Sequence, residues 1–122
     1  MAILGMSLEA LKELLQTRFD VPREVSFEIA VRVGVPRLDV NSPGDGGGRK
    51  RFLRITPIPE GPPEWQYEVQ WSAYGSTDQT ENGDGRCGGD VEFVARAFKH
   101  YIVDGVKWHE VPEFRLPPRR SQ

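Results

Sequence analysis

Cys87, His100 and His109 have the side chains best suited to covalent chemistry, since a thiol near a helix start and an imidazole base are the parts of a nucleophilic cysteine site. Cys87 stands just before Asp90, the cap of a predicted helix, where the positive end of the helix dipole would favour a thiolate. The pattern goes no further. No residue after His109 is spaced to orient an imidazole, and zinc on Cys87 and both histidines lacks a fourth ligand at a matching spacing. Every Asp and Glu falls on an outward strand face, a helix surface or a loop, so no carboxylate pair for acid–base hydrolysis stands out. The expectation is a protein without catalytic residues, cofactor or metal.

Two charged segments invite binding instead. Residues 76–92 carry Asp78, Glu81, Asp84, Asp90 and Glu92 against the single base Arg86. Asp78, Thr80, Asn82 and Gly83 resemble the start of an EF-hand calcium loop, but Gly89 occupies the twelfth position where a bidentate Glu is required. Opposite in sign are Arg49, Lys50, Arg51 and Arg54, which follow the glycine-rich stretch NSPGDGGG, and Arg115, Arg119 and Arg120 near the C-terminus. A phosphate-binding loop needs a strand before it and a helix after it, whereas GDGGGRKR leads into a strand. Trp108, in KWHEV, is either a core residue or an exposed anchor for a partner.

The elements that must position these residues follow from periodicity. Ser7 caps a helix with Leu8, Leu11, Leu15 and Phe19 on one face, closed by Asp20-Val21-Pro22. Ser26 to Val33 alternates strictly, with Phe27, Ile29, Val31 and Val33 on one side. Gly34 and Pro36 break the parity, so Leu38 and Val40 belong either to an extension beyond a bulge or to chain packed under a loop. Arg51 to Ile58 makes a second strand and Trp65 to Ala73 a third, whose inward set is Trp65, Tyr67, Val69, Trp71 and Ala73. Phe52 is the only outward aromatic of these strands. Residues 75–89 read as a flexible, turn-rich segment. Asp90 caps a second helix with Val91, Val94, Ala97, Phe98, Tyr101 and Ile102 on its apolar stripe, ending at Asp104-Gly105. Val106 to Val111 is a candidate short final strand.

The predicted fold is an α+β two-layer sandwich, in which a three- to four-stranded antiparallel sheet carries two helices on one face. Residues 1–112 form the single domain and residues 113–122 an extended, flexible basic tail. The order helix, three strands, helix is similar to that of double-stranded-RNA-binding domains. That resemblance implies cations at the start of the second helix, where this chain is acidic.

At 122 residues, with 38% hydrophobic side chains, the chain supports one core. Sixteen Lys and Arg against 18 Asp and Glu give a formal charge of −2, so no global basic field draws polyanions. No apolar run approaches a bilayer span, Met1 to Met6 lack a signal-peptide pattern, and a lone cysteine suits a reducing compartment; the expected location is cytoplasmic. The function these readings favour is a small non-catalytic protein-interaction module of inhibitor, immunity or accessory type. Its contact residues would be Asp78, Glu81 and Asp84 or Arg49, Lys50, Arg51 and Arg54, with Trp108. Alignment of the opposite patches also permits a homodimer, and an unpaired edge strand, Ser26–Val33 or its neighbour, offers another route. The alternative is a nucleic-acid-associated protein using Arg49 to Arg54 and the basic tail.

Overall fold

The computed structural model describes residues 7–43, 50–76 and 79–115. Helix α1 runs over Leu8–Arg18, and the Ser7 hydroxyl accepts from the Ala10 N–H at 3.1 Å, satisfying one of its free amides. Helix α2 runs over Val91–Phe98 and continues as one wider turn over Lys99–Val103; the Asp90 carboxylate accepts from the Phe93 N–H at 2.9 Å. Between them lies one antiparallel sheet of five strands in simple sequence order: β1 Ser26–Arg32, β2 Val35–Ser42, β3 Lys50–Pro57, β4 Tyr67–Tyr74 and β5 Gly83–Gly89. Alternation assigns the faces. Leu38, Val40, Leu53, Ile55, Tyr67, Val69, Trp71, Ala73 and Cys87 are buried on one side of the sheet, with Leu11 and Leu15 of α1 and Phe93, Val94 and Phe98 of α2 packed into the same core. A bidentate contact from Arg18 to Glu92, at 3.0 and 3.2 Å, ties the end of α1 to the start of α2. Among the described residues no helix is long and apolar enough to cross a membrane.

The α+β class agrees with the sequence reading, but the sheet has five strands where three to four were expected, and a third, short helix over Pro112–Arg115 joins the two that were expected. The first added strand is β2. Strand β1 stops at Arg32, and Val33-Gly34, both at positive φ (52° and 77°), make the two-residue turn. The register Ile29↔Leu38 and Phe27↔Val40 returns β2 to the parity of β1, so a tight hairpin replaces the expected bulge. A β-branched residue is a poor sequence signal for a left-handed turn position, and Val33 is 99% exposed there.

The second added strand is β5, expected to be flexible because of its glycines. Aromatic rings occupy the space its side chains would need. A Cβ on Gly85 would lie 2.7 Å from the Trp71 ring and one on Gly83 3.0 Å from Trp108; one on Gly88 would collide with Trp65 and one on Gly89 with Phe93. Covering strand glycines with rings replaces the packing they lack. Trp65 is therefore not part of the inward set. It precedes β4 and covers Gly88, which pairs with outward-facing Glu68.

Two further expectations are corrected. The segment 106–111 is not a strand: Trp108–Glu110 forms a 3-10 turn, followed by a short helix α3, Pro112–Arg115. The start of the expected tail is thus docked, with the Glu113 carboxylate buried between His100 Nδ1 at 2.9 Å and Arg96 Nε at 3.4 Å. The rest of the expected tail, 116–122, lies outside the described residues.

Two substitutions check this account. Gly85→Ala is expected to lower stability by about 1–3 kcal/mol through overpacking against Trp71, read as a fall in the urea midpoint. Val33→Asn, which relieves a β-branched residue in the left-handed region, is expected to raise stability by about 1 kcal/mol in the same assay.

Candidate binding face

Since α1 and α2 both pack on one side, the other side of the sheet is left to its own side chains. Cross-strand register arranges them in rungs. Asn41, Phe52, Ser72 and Asp84 stand side by side, and the next rung is Glu28, Asp39, Arg54, Gln70 and Arg86. Lys50 pairs with Tyr74 at one end, and Thr56 with Glu68 at the other. Over β3, β4 and β5 this face holds an open cleft of about 380 Å³, lined by Phe52, Arg54, Gln70, Ser72, Asp84 and Arg86.

The charges here are held in defined geometry. Asp39 is 8% exposed, lying between Arg54 Nε at 3.1 Å and Arg37 Nε at 3.4 Å. The Arg54 guanidinium also lies over the Phe52 ring, 5.1 Å from its centroid. Arg86 faces Glu68 at 3.6 Å and its side chain is 63% exposed. Tyr74 is 47% exposed.

The residues expected to bind a partner are dispersed by the fold. Asp84 and Arg54 both line the cleft, and Lys50 is exposed at the start of β3. Arg51 has the opposite parity and is buried, donating to the Tyr101 carbonyl at 2.7 Å with its guanidinium over the Tyr101 ring. Glu81 accepts from Ser76 Oγ and pairs with Lys107 Nζ at 3.2 Å, its side chain only 15% exposed. Trp108 is stacked on Trp71, with ring centroids 5.1 Å apart, so its ring is committed to the fold. Arg49 and Asp78 lie outside the described residues. Asn82 spends its carboxamide on the backbone of Ser76, accepting from its N–H and donating to its carbonyl, both at 3.1 Å, and Gly83 opens β5.

Sequence reasoning passed over Tyr74, Gln70, Ser72 and Arg86 as contact residues. For Tyr74 the signal was present, since the alternation of the third strand runs one residue further than Ala73. Arg86 could be assigned a face only once β5 was known to be a strand.

Cys87 lies inside the sheet opposite Val69, 2% exposed. Burial, with the charges of Glu113 and Glu68, pushes its thiol up to about 12, opposite in direction to the effect expected from the helix start. His100 is engaged by Glu113, and His109 packs edge-on against Trp108. Burial likewise pushes the Tyr101 hydroxyl up; it donates to the Ser72 carbonyl at 2.6 Å. Both groups fold in their neutral forms. Their contribution to stability is complete below pH ~9, the ordinary thiol range, and declines as pH rises toward 12. At pH 8, iodoacetamide is expected to modify Cys87 in the folded protein slower than a free thiol by a factor on the order of a thousand. Urea midpoints should fall progressively above pH ~9. Labelling at the free-thiol rate would contradict the buried placement.

No protein family model matches this chain, and no curated protein or solved structure matches it either.

Proposed function

We propose that this chain is a small non-catalytic protein-interaction domain that binds its partner through the outward face of the sheet, in the manner of an inhibitor, immunity or accessory protein. One observation carries the reading. The helices cover a single side, and the uncovered side presents Phe52, Arg54 and Arg86 in a cleft with exposed Tyr74 elsewhere on the same face, the aromatic-plus-arginine composition enriched at protein interfaces. The partner class follows from charge. Among the side chains described on this face Arg37, Lys50, Arg54 and Arg86 are matched by Glu28, Asp39, Glu68 and Asp84, a balance that offers little net field to a phosphate backbone. A mixed-charge face with aromatic centres instead suits a folded protein surface, where complementary charges set orientation.

The test is affinity capture with and without nuclease, using the unaltered chain, an outward-face variant (Tyr74→Asp with Arg86→Glu) and a helix-side control (Lys12→Glu). Tyr74 and Arg86 are exposed, so the variant's thermal midpoint should stay close to that of the unaltered chain. A protein partner that survives nuclease should be retained by the control and lost by the outward-face variant, with affinity reduced roughly 30-fold or more, as for a hot-spot contact. Retention by the outward-face variant overturns the proposal. Capture of nucleic acid alone overturns it in favour of a nucleic-acid role.

A further inference from the structure

Resting on the outward-face reading, we propose that the cleft over β3–β5 is a seat for carboxylates, and that the segment it receives is an acidic stretch of the protein partner. Arg54 is prepared for this. Its Nε is engaged by Asp39 at 3.1 Å and its plane is supported by Phe52, while its two terminal amino groups have no protein partner among the described residues. Such a guanidinium is fixed in orientation before binding and keeps one edge for a carboxylate, which lowers the ordering cost of the contact.

Across Gln70, two strand spacings or roughly 10 Å away at the backbone, stands Arg86. Its contact with Glu68, at 3.6 Å and largely in solvent, is a weak one for an incoming carboxylate to replace. Between the two arginines the Gln70 carboxamide is half-buried and makes no hydrogen bond among the described residues, so it supplies an N–H donor at the floor of the cleft. Asp84 is the single carboxylate of the lining, beside Ser72 on the neighbouring rung. Asp39 pairs with Arg54 and Glu68 with Arg86, so the cleft carries no net positive charge; the guanidinium N–H groups these pairs leave over, with the Gln70 carboxamide, are the directed donors that set the preference for carboxylates. The spacing of the arginines suits carboxylates on successive exposed residues of one chain better than a single small anion.

The probe is a blocked tetraglutamate peptide, with a blocked tetraglutamine peptide as control, titrated into the labelled full-length protein and followed by amide and side-chain NMR shifts. Shifts at Gln70, Arg54 and Arg86 with the glutamate peptide, absent with the glutamine peptide and weakening as salt is raised, are the expected result. Arg54→Gln and Arg86→Gln should each weaken binding about 5- to 10-fold. Asp84→Asn, which removes the carboxylate of the cleft lining, should strengthen it. No shift at millimolar peptide, or equal shifts with both peptides, overturns the carboxylate seat. If in that case Tyr74→Asp with Arg86→Glu still loses the captured partner, the outward-face reading stands and only the seat falls. A single-stranded oligonucleotide that shifts the same residues at lower concentration than the peptide overturns the partner class.

Discussion

Trp71 is stacked with two rings, Trp108 with centroids 5.1 Å apart and Phe114 at 4.7 Å, while Tyr101 meets it edge-on at 6.4 Å. Burial of rings this size is worth several kcal/mol each at about 25 cal/mol per Å², and favourable ring geometry adds about 0.5–1.5 kcal/mol per pair. Against this stand the indole N–H groups of Trp71 and Trp108, both buried without an acceptor among the described residues, at a cost of about 1–3 kcal/mol apiece. The area term is the larger, so the rings stay inside with their donors unmet. Strand β5 depends on that outcome, because Gly83 and Gly85 have no side chains and the two indoles supply their packing. The cleft depends on β5 in turn, since Asp84 and Arg86 form its far wall.

The outward face shows a second kind of economy. Asp39 is almost as buried as a core residue, although it lies on the side without helices. Two arginines shield it, Arg54 with its side chain 30% exposed and Arg37 with its own largely buried, and the aliphatic stems of such side chains cover neighbouring backbone. The result is a sheet surface that needs no helix above it. Long polar side chains carry the cover, and the small residue Ser72 and half-buried Gln70 leave the hollow between them.

Much of this arrangement could be read from the chain. Both helices, their caps at Ser7 and Asp90, and the inward positions of β3 and of β4 from Tyr67 onward follow from spacing alone, because each lies where local preference and burial agree. The failures lie where packing overrode local preference. Val33 adopts a turn conformation that valine resists, which hid β2, and β5 is made of residues that form strands poorly unless rings lie over them. Losing β5 also meant losing the cleft, so Arg86 and Asp84 were read as members of an acidic loop. Arg51 was counted with its basic neighbours, yet strand parity had already set it beside Leu53 and Ile55. Its partner, the Tyr101 carbonyl, is contributed by a distant part of the chain that no local pattern names.

The docking of α3 bears on the order in which the molecule assembles. Phe114 stacks on Trp71, and Trp108 also stacks on it while covering Gly83; both follow β5 in the chain. During synthesis β1 to β4 and α1 emerge with their own side chains to pair and bury, but β5 emerges before Phe93 and Trp108, two of the rings that roof it. The last strand and the cleft wall it provides are therefore late events, completed by long-range contacts whose loop-closure entropy must be met first. Until then the nascent sheet ends at β4, with that edge open to any extended segment that reaches it.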